Sequence, residues 1–164
     1  MTAIHQIAAA ASLIGALAAA CDLRWRRIPN WLTIGGVALG VALHLTQGDV
    51  VSALQGAALA LAIHVPLFAL GVLGGGDVKL MAALGAIAGP RHWVTIFAFN
   101  AVLGGILALL LIWRKRRFRQ TMANVGEILS GKADGRTLRS PDALAIPRGA
   151  MIALAVALWL LLVI

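Results

Sequence analysis

Six apolar runs, at about 3–21, 31–47, 51–73, 78–89, 92–113 and 148–164, make up most of the chain. Short polar breaks separate the first five: CDLRWRRIPN, TQGDV, GGGD and PRH. The fifth break, roughly 114–147, is long and polar. A helix needs about 20 apolar residues to cross a hydrocarbon core roughly 30 Å thick. The pattern therefore predicts an all-α fold, a polytopic membrane helix bundle of about six transmembrane helices. Residues 1–164 are expected to form one membrane-embedded domain, with no room for a sizeable soluble domain beside the spans. The fourth run is short: 12 residues from Val78 to Gly89, about 18 Å of helix. Either its start, with Asp77, lies below the membrane surface, or the third and fourth runs tilt and share a boundary among the headgroups.

Composition strengthens the membrane reading. The chain is 61% hydrophobic with a mean hydropathy of +0.93, against about 45–50% apolar in soluble domains. Net charge is +8. The cations flank apolar runs, which points to membrane topology rather than to a nucleic-acid partner. With the N-terminus outside and six alternating spans, 13 of the 14 basic residues fall on the inner side and Arg91 alone falls outside. The expected topology is N-out, C-out in the cell (inner) membrane. The segment ending at Cys21 has the small residues of a lipoprotein signal. It lacks a cationic n-region, and Ala18 stands where such signals usually carry Leu, so a retained first span is expected. A single cysteine precludes an internal disulfide.

In the long break, Phe118, Met122, Val125 and Leu129 recur at helical spacing among cations. This predicts an amphipathic interfacial helix within a basic cytoplasmic loop at 114–147, drawn to anionic membrane lipid. Glycine pairs at four-residue spacing, Gly36/Gly40, Gly71/Gly75 and Gly85/Gly89, are candidates for close helix contacts.

Of six acidic residues, Asp49 falls in an outer turn and Glu127, Asp134 and Asp142 fall in the inner loop. Asp22 and Asp77 sit where apolar helices meet the inner side. An ionisable group at such a place is costly and is a functional candidate. Two carboxyls brought together share a proton; one activates water while the other protonates a carbonyl, the chemistry of aspartic peptide hydrolysis. Gly74, Gly75 and Gly76 allow tight turns and close backbone approach. Asp77 can cap its helix, and Pro29 with Asn30 can start the second one. Plainer readings stand beside these: Asp22 pairs with Arg26 four residues on, and Lys79 snorkels to the headgroups. His5, His44, His64 and His92 lack a second ligand at helical spacing, so neither a metal site nor a cofactor is expected.

CDLRWRRIPNWLT followed by LGGGDVKLMAALGA resembles the type IV prepilin peptidases, intramembrane aspartic proteases with a GxGD motif. The resemblance implies that Asp22 and Asp77 are catalytic. It places Pro29 and Asn30 in an Ile-Pro-Asn element, and Gly74, Gly75, Gly76 and Lys79 in the second motif. The implied substrate is a prepilin with a basic leader and an apolar helix, cut at the cytoplasmic face. The chain looks like the short, peptidase-only form of Flp (tight adherence) pilus systems. It lacks the paired CxxC motifs of bifunctional members, so zinc is not implied and N-methyltransferase activity is not expected. Helix dipoles place the shared proton on Asp22, at a helix C-terminus, and the charge on Asp77, at an N-terminus. Two rivals use the same acids: a small proton- or ion-coupled membrane carrier, and a structural subunit in which they cap helices.

Overall fold

The structure is a computed structural model and describes residues 3–115 and 148–163. Five helices follow in order: α1 (Ala3–Trp25), α2 (Asn30–Thr46), α3 (Val50–Ala69), α4 (Gly75–Lys115) and α5 (Arg148–Val163). No strand occurs among the described residues. α1 and α3 are long and apolar enough to cross a membrane, while α2 and α5 are shorter apolar helices. The amphipathic helix expected within 114–147 lies outside the described residues, apart from the end of α4.

The fourth and fifth apolar runs form two helical limbs, labelled together as α4, that meet directly at a kink without an intervening loop. Its course breaks at Gly89, whose φ of 70° and ψ of 170° are non-helical, and Pro90 follows without an N–H to donate. The second limb folds back along the first. Trp93 Nε1 donates to the carbonyl of Met81 at 3.1 Å, whereas twelve residues of straight helix would separate them by about 18 Å. His44 supports the corner, its Nε2 lying 3.2 Å from the Ile87 carbonyl, an acceptor that the broken ladder leaves without a helical partner.

Compact turns make the other reversals. α2 ends at Gly48 (φ 75°), with the Asp49 N–H on the His44 carbonyl and the Gly48 N–H on that of Leu45, a Schellman closure. Asp49 then caps α3 by accepting from the Ser52 N–H and hydroxyl. These donors hold its carboxyl below the usual carboxylate range. α3 closes in the same way at Gly71 (φ 74°), where the Val72 N–H reaches the Leu67 carbonyl. The result is six helical segments alternating in direction. At one end lie the C-termini of α1 and α3 and the N-termini of α2, α4 and α5. The Gly89 corner lies at the other.

The first limb of α4 is central. Val78 and Leu80 through Gly89 are all buried, and α4 as a whole packs mainly on α3 and α2 and also on α5 and α1. Small residues allow this approach. A methyl on Gly40 would lie 2.5 Å from the Ala86 backbone, and one on Gly56 would overlap the Gly85 carbonyl. Gly36, Gly40 and Gly85 thus make the close contacts expected of them. Gly71 serves instead as a left-handed helix stop, and Gly56 is a contact that the spacing of pairs does not reveal. Gly56→Val is expected to lower the thermal unfolding midpoint in detergent, at a cost of about 1–3 kcal/mol or more, because backbone cannot yield as a side chain does. Gly35→Ala, whose methyl meets nothing within 4 Å, should leave the midpoint unchanged or slightly raised.

Candidate active site

Asp22 lies in the last turn of α1, which Arg26 closes by adopting φ 51° and donating its N–H to the Asp22 carbonyl at 2.9 Å. This left-handed stop is usually a glycine's task. The Asp22 carboxyl turns into the bundle, where Oδ2 accepts the Gly149 N–H at 2.8 Å. The surface pair with Arg26 is therefore not what holds this carboxyl. Its partner comes from 127 residues further along the chain.

Asp77 is the third residue of α4. It does not cap the following N–H groups; its Oδ2 reaches back to the Gly74 N–H at 3.3 Å, the returning half of a capping box. The reason is its position, because Gly74 rather than Asp77 precedes the first helical residue. The same Oδ2 lies 3.6 Å from Arg148 Nη1, and that nitrogen donates to the Val72 carbonyl at 2.7 Å. The Asp77 side chain is 13% exposed and that of Arg148 45%.

The two aspartates thus converge on two consecutive residues at the start of α5. One oxygen of each carboxyl is held, and among the described residues the two Oδ1 atoms have no hydrogen-bond partner. No hydrogen bond among the described residues joins the carboxyls directly. The dipole expectation needs correction on this geometry. Asp22 ends α1 but also faces the N-terminus of α5, so both carboxyls meet a positive helix end and the dipoles no longer separate them.

The supporting residues are placed differently from expectation. Pro29, with φ −67° and ψ 145°, precedes the first residue of α2, and no side chain caps that helix. Asn30 is already helical, so its side chain is free to accept from Lys79 Nζ at 2.9 Å. Lys79 thereby ties the start of α2 to α4. Gly75 and Gly76 are helical; Gly76 packs on Ile28 and Gly75 on Phe68. The tight turn before the motif belongs to Gly71. His64 is a packing residue: Nδ1 contacts the Ala60 carbonyl at 2.9 Å, and its ring meets Trp93 and Phe97 edge-on. Cys21 is buried beside Asp22. Among the described residues no three His, Cys, Asp or Glu side chains gather as metal ligands would.

Sequence reasoning did not single out Arg148 and Gly149 as site residues; Arg148 counted only towards topology. One signal was available. A cation in the first turn of a helix opposes the macrodipole, and Arg148 is placed so unless an anion offsets it.

The sequence profile described as the type IV leader peptidase family matches residues 9–109, a stretch that includes both Asp22 and Asp77. No curated protein and no solved structure gives a significant match.

Proposed function

The chain belongs to the type IV leader peptidase family, and from that premise we propose that it is an intramembrane aspartic endopeptidase. It removes the basic leader from a Flp-like prepilin at the cytoplasmic face of the membrane. The observation that carries this reading is the convergence of Asp22 and Asp77, from two separate helices, on the start of a third. One carboxylate takes a proton from water as the hydroxyl adds to the scissile carbonyl, and the other carboxyl donates its proton to the carbonyl oxygen. The gem-diol intermediate then collapses with C–N cleavage: the leaving amine takes up the proton gained by the first carboxyl, and a hydroxyl proton returns to the second as the C=O bond re-forms, restoring both groups.

Six segments of alternating direction support six spans with the N- and C-termini outside. Among the described residues Arg24, Arg26, Arg27, Lys79 and Arg148 lie at the end carrying Asp22, and Arg91 beside the opposite corner. That asymmetry favours a site at the cytoplasmic face of the inner membrane, with the basic loop 114–147 tethered to anionic lipid. Both acids lie at one end of the bundle, whereas a carrier's site belongs near the midplane.

The test is cleavage of a Flp-type prepilin in vesicles containing the purified protein, with sequencing of the new N-terminus. A single cut between leader and apolar helix is expected. Intact prepilins together with acid-dependent proton flux would favour the carrier.

A further inference from the structure

Arg148 is the one described cation whose side chain reaches both the loop before α4 and a candidate catalytic carboxylate. Its Nη1 donates to Val72 O at 2.7 Å and lies 3.6 Å from Asp77 Oδ2. Val72 follows the left-handed Gly71, past the end of α3, and its carbonyl lies outside any helical ladder. Without Arg148, the connection from Gly71 to Gly74 is held by the α3 closure on one side and by turn bonds of 3.1–3.3 Å on the other. The next residue of α5, Gly149, fixes Asp22. One rigid helix start therefore holds both acids through adjacent residues.

We propose that Arg148 is a positioning residue of the peptidase site, which sets the Asp77 carboxyl in register with Asp22 by strapping the Val72–Gly74 connection to α5. The proposal rests on the two-aspartate reading above. Three features support a positioning role over a surface ion pair. The guanidinium has two partners, one of them a backbone carbonyl, so it fixes main chain as well as charge. It lies 3.6 Å from the same oxygen that accepts the Gly74 N–H, so both contacts fall on Oδ2 and Oδ1 has no hydrogen-bond partner among the described residues. Its charge offsets the repulsion between two carboxylates placed at one helix start, at a position where a cation otherwise opposes the macrodipole. One nitrogen, Nη1, serves both acceptors, at 2.7 Å and 3.6 Å, so a lysine ammonium that reaches this point can replace the charge and at least one contact, but without the fixed plane of the guanidinium.

The experiment is steady-state cleavage of a prepilin by full-length wild type, Arg148→Gln and Arg148→Lys, each purified in detergent and checked by unfolding midpoint. Arg148→Gln is expected to lower kcat about 10–100-fold, the scale of a misplacement near 1 Å, with KM within about threefold. Arg148→Lys, which restores the charge and one contact, should recover at least about a third of wild-type kcat. Wild-type kcat in Arg148→Gln would overturn the proposal. So would a Lys variant no better than Gln when both unfold at the wild-type temperature. Asp22→Asn and Asp77→Asn in the same assay separate this from failure of the underlying reading. Activity retained in either overturns the two-aspartate mechanism and the positioning role with it. Loss in both, beside an unimpaired Arg148→Gln, overturns the positioning role alone.

Discussion

Replacing either Asp22 or Asp77 by Asn is expected to abolish prepilin cleavage while leaving the protein folded. Asparagine keeps the shape and one acceptor oxygen. In Asp77→Asn the amide oxygen can still accept the Gly74 N–H, and in Asp22→Asn that of Gly149, so the contacts that place these side chains survive. What is lost is the ability to take up and return a proton. General acid–base catalysis contributes about 10²–10⁴-fold per group, and removing one member of a coupled pair disables both roles, so kcat should fall by at least about 10³-fold. The unfolding midpoint should move little, since the pair lost with Asp77 involves a half-exposed Arg148 and such pairs contribute about 0–1 kcal/mol. A structural role for the acids predicts the reverse, because Asn serves as a cap and turnover would be retained. Matched kinetics and thermal melts of the two variants distinguish these outcomes.

Gly149→Ala is expected to cost nearly as much, although no charge changes. A methyl there would sit 2.8 Å from the Asp22 Cβ, and 3.2 Å from both Asp22 Oδ2 and the Ala18 carbonyl. The closest neighbour is the rigid base of a side chain rather than a flexible tip, so α1 and α5 must separate or Asp22 must turn away. Either movement lengthens the 2.8 Å bond that holds the Asp22 carboxyl. A shift near 1 Å costs about 10²-fold in rate, and overpacking of this kind costs about 1–3 kcal/mol in stability. Gly149→Val should be worse on both counts. The loss should appear in kcat more than in KM, since the proposed mechanism places Asp22 in the chemical step. Wild-type turnover in Gly149→Ala would show that Asp22 tolerates displacement and that its contact with α5 does not tune the site.

Much of the fold was legible because it follows from the spacing of apolar residues. The bounds of α1, α2, α3 and α5 lie within a few residues of the apolar runs, and Gly89–Pro90 marks the corner of α4. The aspartates stand out as ionisable groups at the ends of apolar stretches. Partner choice was less legible. Asn30 reads as a cap yet accepts from Lys79, which is 49 residues away. Asp22 reads as a partner for Arg26 yet bonds to Gly149. For Asp22 the packed bundle presents a partner in place of the local one; for Asn30 the helix starts one residue early, with Pro29 before it, so the capping role falls away and the side chain turns to Lys79.

The helical class, the two acids of interest and the family to which the chain belongs are all written in the order of its residues, because periodicity, composition and short motifs are local properties. Packing settled the rest. It made the first limb of α4 the enclosed centre of the bundle, and it gathered the two acids on Arg148 and Gly149. Those contacts join residues up to 127 positions apart, and they exist because glycines let helix backbones approach closely enough for α5 to begin between the two carboxyls. Such proximity is a product of three dimensions, and no spacing along the chain encodes it.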